Sequence, residues 1–143
     1  MTDTLEKKIS EIKVFFNRAS NREEKYSLIL ELGRSLEPFP EKAKKELDRV
    51  EGCQSATYLT ASCTDGKMHF QGSSDALISA GLIALLFRIY NEETPETILK
   101  HPPVFLNELG LNTILSPLRS GGLGSMYKKM RSLAQKQLKK PVL

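Results

Sequence analysis

Tryptophan is missing from these 143 residues, and histidine and cysteine occur only twice each. Two cysteines ten positions apart, Cys53 and Cys63, make no disulfide framework of the kind that staples small secreted domains. Structural zinc needs about four converging ligands. Cys53, Cys63, His69 and His101 offer no paired C-x2-C or H-x3-H spacing, so no metal site is expected. The longest apolar run, "ALISAGLIALLF" at 76–87, is too short to cross a bilayer and ends at Arg88, which excludes a membrane span there. The opening "MTDTLEKKIS" is charged and lacks the apolar core of a secretory signal. With free thiols, the expectation is a cytoplasmic protein. Internal repeats, low-complexity segments and linkers are also lacking, so residues 1–143 read as a single domain.

Charge of one sign is only slightly in excess. Lys and Arg number 21 against 17 Asp and Glu, a net +4, and the surplus gathers at the C-terminal end. There Lys128, Lys129, Arg131, Lys136 and Lys139 share a sequence stretch with no interleaved exposed aromatics, which reads as a solvated helix face and not as a nucleic-acid surface.

What is present is periodicity. Leu5, Ile9, Ile12, Phe16 and Ala19 fall on one face of a helix over 4–19, and Tyr26, Ile29, Leu30, Gly33 and Leu36 do the same over 21–36. The two read as a helical hairpin, with Asn21 and Glu24 spaced as a capping box. "EPFPEKAKKELDRV" interrupts with two prolines and room for a short charged helix. Past Cys53 the period changes to two. "ATYLTASCTDGKMHFQG" alternates, and Asp65-Gly66 supplies a primed turn, so a β-hairpin is predicted, with Met68 and Phe70 facing one way and Lys67, His69 and Gln71 the other. Residues 75–90 are apolar almost all round and predict the most buried helix, with Ser73 or Ser74 as its N-cap. Thr94-Pro95 opens a short helix, 104–109 forms another ended by Gly110, and "LNTILSPLRSGG" reads as a loop whose glycines turn the chain into an amphipathic helix from Leu123. Helices, hairpin, helices make an α+β fold with a small antiparallel sheet packed against helices.

Chemistry narrows to one residue. Most cysteines are buried as small hydrophobes. Cys53 instead follows a glycine in "DRVEGCQSATYL", where the chain turns and Asp48, Arg49 and Glu51 bring charge. An accessible thiol is a nucleophile through its thiolate. Cys63, before the hairpin turn, reads as a tolerated small residue. A cysteine hydrolase would need a histidine beside its nucleophile. His69 on a strand and His101 before two prolines read as surface and loop residues. "SGGLGS" at 120–125 lacks the lysine and spacing of a phosphate loop.

Three separated segments, "VEGCQS" at 50–55, "GSSDALISAGLIALL" at 72–86 and "LSPLRSGGL" at 115–123, resemble in order and spacing the signature blocks of the SufE family of sulfur-acceptor proteins. The preceding "EEKYSLILELGRSL" is similar too, and the resemblance covers roughly residues 5 to 135. It implies an α+β fold of SufE/IscU type. It implies that Cys53 accepts a sulfane sulfur as a persulfide from a SufS-like cysteine desulfurase and passes it on to a SufBCD-like iron–sulfur scaffold complex. The protein would be a carrier and activator and not itself an enzyme. Its loop would shelter the thiol and then swing outward. Gly52, Gln54, Ser55, Asp75 and Arg119 match the family blocks as loop or partner-contact residues, Arg119 being the stronger candidate for contact with thiolate or partner. No cofactor is implied here, since the pyridoxal phosphate belongs to the desulfurase, and neither nucleic acid nor membrane is expected as a partner. A monomer and a homodimer both remain open. Departures include Thr57-Tyr58 where an aromatic Val-Trp pair is frequent, and Asp48-Arg49 in place of an asparagine. The alternative is an iron–sulfur scaffold of IscU-like fold, for which three cysteines are usual and only two are present.

Overall fold

The computed structural model describes residues 2–53, 55–111, 115 and 117–139. Helices α1 (Thr2–Phe16) and α2 (Arg22–Arg34) come first, followed by two single 3-10 turns, Glu41–Ala43 and Glu46–Asp48. Strands β1 (Thr57–Thr64) and β2 (Lys67–Ser74) follow, then α3 (Leu77–Tyr90), α4 (Pro95–Lys100), α5 (Phe105–Glu108) and α6 (Pro117–Leu138). The α+β class expected from the periodicities is the architecture found.

Local chemistry explains the boundaries. Asn21 Oδ1 accepts the Glu24 amide at 2.8 Å, and Glu24 Oε1 accepts the Ser20 amide at 2.8 Å, so two amides at the start of α2 are satisfied by side chains. Thr94 caps α4 through the Thr97 amide, with Pro95 in the first turn where no donor is lost. Between the strands, Asp65 (φ 53°) and Gly66 (φ 77°) form a two-residue turn of the I′ kind, which sets the antiparallel register from Thr57↔Ser74 to Thr64↔Lys67. Met68 and Phe70 are buried while Lys67 and Gln71 are exposed, as the alternation predicts. The free edge of β2 is covered by the chain leaving α3: Met68 exchanges backbone hydrogen bonds with Glu92 and Glu93, and the Phe70 amide donates to Asn91 Oδ1 at 2.6 Å.

Helix α3 is the centre. Every residue in it except Leu77 and Arg88 is buried. Phe87 stacks on Phe70 of β2 at 5.9 Å between ring centroids. Tyr90 donates its hydroxyl to the His101 carbonyl at 2.6 Å, and Tyr127 of α6 does the same for Ile98 of α4 at 2.7 Å. Burial pushes both phenols up, so both remain donors across the ordinary pH range. The buried Glu93 carboxylate is met by Lys8 of α1, whose ammonium also reaches the Asn91 carbonyl, both at 2.6 Å. A carboxylate left unpaired there would be costly.

Four expectations are corrected. The first two helices are not a mutually packed hairpin; α2 lies chiefly along α3, and α1 also rests on α3. Ser73 and Ser74 are strand residues, because pairing with Thr57 and Tyr58 carries β2 to its end, and α3 begins after Ala76 with no side-chain cap. The charged segment after Leu36 forms two 3-10 turns in place of one α-helix, separated by extended backbone at Lys44 and Lys45. Finally, α6 starts at Pro117, so Arg119, Gly121 and Gly122 are helical and do not form a loop. Proline suits a first helical turn, and the glycines are tolerated because the helix packs there against another segment. Residues 112–114 and 116 of the expected loop lie outside the described residues.

The α2–α3 crossing depends on two glycines. A Cβ on Gly33 would lie 2.6 Å from the Leu77 carbonyl oxygen, and one on Gly81 would lie 2.9 Å from the Ile29 carbonyl carbon. Backbone cannot yield as a flexible side chain does. Gly81→Ala is therefore expected to destabilise the fold by about 2 kcal/mol or more, lowering the melting temperature by roughly 6 °C. Thermal unfolding followed by circular dichroism checks this, and an unchanged midpoint would contradict it.

Candidate functional site

The segment carrying Cys53 is fixed at both ends and arched between them. Val50 is buried, and its amide donates to the Thr57 carbonyl at 2.8 Å, while Arg49 bridges to Tyr58. The chain thus leaves the hairpin and returns to it within a few residues. Such a reversal demands an unusual backbone at Gly52, whose φ of +89° L side chains rarely adopt. A Cβ there would also collide with the Ser125 hydroxyl of α6.

On the far side of the arch, Ser55 is held by hydroxyls. Its Oγ donates to Ser79 of α3 at 2.9 Å and lies 3.1 Å from Ser74 Oγ, which in turn is 3.0 Å from Thr57 Oγ1. Asp75 closes the base: its Oδ1 accepts the Ala56 amide and its own amide donates to the Ala56 carbonyl, each at 3.1 Å. Ser55 and Asp75 therefore tie the loop to the end of β2 and the first turn of α3.

Cys53 is half-buried between that loop and α6. Its Sγ lies 3.7 Å from the Gly122 carbonyl oxygen, within reach of a weak S–H donation. A Cβ on Gly122 would stand 3.5 Å from the sulfur. Gly122 thus gives the sulfur a seat, and a long side chain would fill it. Arg119 belongs to the first turn of α6, three residues before Gly122, or about 4.5 Å along the helix axis. Gln54 lies outside the described residues, as does the side chain of Arg119.

The structure accordingly brings together Gly52, Cys53, Ser55 and Asp75. It adds Gly122 and Ser125, expected as turn and helix residues, and Ser74 and Ser79 beneath the loop. The available signal was the small-residue cluster "SGGLGS", which suits a helix face approached closely by another segment.

The other candidates stand apart. Cys63 pairs with Met68 next to the hairpin turn, six strand residues or about 20 Å from Thr57. His69 pairs with Glu92 at 2.8 Å and faces Ser62 across the hairpin, five residues along β1 from Thr57. His101 contributes Nδ1 to the Thr97 carbonyl at 2.9 Å. Among the described residues no three His, Cys, Asp or Glu side chains gather as a metal ion would need. Nor is any described helix long and apolar enough to cross a membrane.

The family model for SufE, described as an Fe-S metabolism associated domain, matches residues 10–134. The chain belongs to the SufE family. It is 37% identical over 131 residues to an uncharacterized SufE-like protein of Synechocystis sp. (strain PCC 6803), covering 92% of this chain and 82% of that one. The solution structure of a hypothetical protein from Thermus thermophilus superposes with a TM-score of 0.77 at 25% identity, over 93% of this chain and 97% of the other. The SufE match spans the Cys53 loop, the Ser55–Asp75 anchorage and most of α6, and it ties the chain to iron–sulfur metabolism.

The seat of the sulfur is directly testable. Gly122→Leu is expected to displace Cys53 outward and to raise its rate of alkylation by iodoacetamide several-fold, with an unchanged far-ultraviolet spectrum. An unchanged alkylation rate in a folded variant would show that Gly122 does not set the position of the thiol.

Proposed function

We propose that this SufE protein is a sulfur carrier that accepts persulfide sulfur on Cys53 from a cysteine desulfurase, stimulates that enzyme by relieving it of sulfur, and passes the sulfur to an iron–sulfur scaffold complex of SufBCD type. The observation that carries the reading is the position of Cys53: a half-buried thiol on an anchored arch, seated against a glycine, within the stretch that matches SufE. A thiol that moves sulfur between proteins has to be reachable, and a persulfide has to be shielded from stray thiols. A loop held at both ends and resting on α6 meets both demands.

The transfer is an exchange at sulfur. The Cys53 thiolate attacks the terminal sulfur of the desulfurase's cysteine persulfide. A sulfur–sulfur bond forms on Cys53 as the donor's sulfur–sulfur bond breaks, and the donor cysteine leaves as a thiolate. The transferred sulfur keeps its proton, and no net oxidation occurs. The carrier supplies no cofactor to the step; the pyridoxal phosphate that frees sulfur from cysteine belongs to the desulfurase. Reaching the donor requires that the Sγ contact to Gly122 open and the arch tilt about Gly52, while Ser55 and Asp75 hold its base. The site works in the cytoplasm, in a monomer or a homodimer.

Cys53→Ser is expected to abolish stimulation of the desulfurase with the fold intact, while Cys63→Ser retains most of it, because Cys63 lies at the other end of β1. Sulfide release by the desulfurase, with circular dichroism as control, makes the comparison. Equal loss from both substitutions would contradict the assignment. Arg119, one turn from the sulfur's seat, is proposed to favour the thiolate or to contact the donor. Arg119→Ala is expected to slow Cys53 alkylation near neutral pH by up to about tenfold, or else to weaken desulfurase binding. If neither changes, Arg119 plays no part in the site.

A further inference from the structure

We infer that the exposed face of α6 running away from the thiol is a docking surface for an acidic segment of the sulfur donor. The inference rests on the carrier reading above and concerns how the partner is recognised. At 100° per residue, Ser125, Lys128, Lys129, Ser132, Lys136 and Lys139 fall within one sector of about 100°. Leu123, Met126, Met130 and Ala134 lie on the opposite side, in the core. The polar face begins at Ser125, which touches Gly52 beside Cys53, and continues for about 21 Å to Lys139.

Its charge is of one sign. Positions 117–139 hold six Lys and Arg and no Asp or Glu, whereas the whole chain is +4, so the remaining positions carry a net charge of −2. The positive potential therefore belongs to this helix and not to the surface at large. A groove of about 810 Å³ runs along the middle of this helix, with Ser125, Lys128, Lys129 and Ser132 as one wall. The opposite lip carries Leu47, which is 81% exposed. Leu47 is held in place by α6 itself, because Lys129 donates to its carbonyl at 2.9 Å. Beside it Arg49 and Glu46 pair at 3.8 Å and offset one another. Glu51 lies at the thiol end of the groove, so a partner's carboxylates are directed down the helix toward Lys128 and Lys136, away from the loop.

An apolar anchor, a one-signed ramp and a reactive sulfur at the head of it fit an acidic segment bearing an apolar side chain for Leu47. They fit a nucleic acid less well: Tyr127 is turned inward onto Ile98, which leaves the face without a ring for base stacking. Exposed lysines act mainly on encounter, so binding should be steeply salt-dependent.

The test compares wild type with Lys128→Glu/Lys136→Glu and Lys128→Arg/Lys136→Arg, using a pyridoxal-phosphate cysteine desulfurase that loads the wild type from L-cysteine, and inorganic polysulfide as a partner-free sulfur source. Charge reversal is expected to weaken desulfurase binding about tenfold or more at low salt and to flatten its salt dependence. The arginine variant should bind as wild type, and polysulfide should load all three equally. Leu47→Ser should weaken binding and leave the salt slope intact. Charge-reversed protein that binds and loads as wild type would overturn the docking surface and leave the carrier reading standing. So would arginine variants as weak as the glutamates, or a loss confined to RNA binding. Wild-type protein that takes sulfur from polysulfide but from no desulfurase would overturn the carrier reading, and the docking surface with it.

Discussion

The whole arrangement depends on burying one helix on nearly all its sides. A run such as "LISAGLIALLF" cannot face water, and α3 is enclosed by α1, α2, β2 and α6. The burial is made possible by close approach: Gly33 and Gly81 let the backbones of α2 and α3 come nearer than any side chain would permit. Once α3 is fixed, so are its ends. Ser79 in its first turn receives the Ser55 hydroxyl, and Asn91, just past its last, caps the open edge of β2. The site is thus built outward from the core.

That construction attaches the Cys53 arch in two different ways. The base of the Cys53 arch is tied by hydroxyls and by the reciprocal Asp75–Ala56 bonds. Its crown touches α6 through Gly52 on Ser125 and through Sγ on Gly122. A sulfur–carbonyl contact is weak compared with ordinary hydrogen bonds. The hydroxyl and Asp75 bonds thus join the base of the loop to the hairpin and to α3, apart from the contacts its crown makes with α6. Membership of SufE gives this geometry its setting in iron–sulfur metabolism.

Much of this was legible in the chain, and the failures have physical causes. The hairpin could be read because Asp65-Gly66 demands a turn and Met68 and Phe70 alternate with polar residues. Helix α3 could be read because its apolar circumference admits only an interior position. Cys53 stood out as a thiol outside any apolar pattern. The start of α6 was missed because Gly121 and Gly122 are poor helix formers, and local propensity does not report that Cys53 seats against Gly122. The serine caps expected for α3 were missed because strand pairing with Tyr58 and Thr57 captured both residues first. Packing of α1 and α2 on a third helix, in place of one another, is a tertiary choice that periodicity leaves open.

The central claim is that Cys53 receives sulfur. The most direct measurement incubates the protein with a cysteine desulfurase and L-cysteine, then locates added sulfur by mass spectrometry of intact protein and of its peptides without reductant. The account predicts one additional sulfur on the peptide containing Cys53, removed by dithiothreitol and absent when the desulfurase is omitted. Sulfur found on Cys63 alone, or on neither cysteine while the desulfurase is turning over, would contradict it.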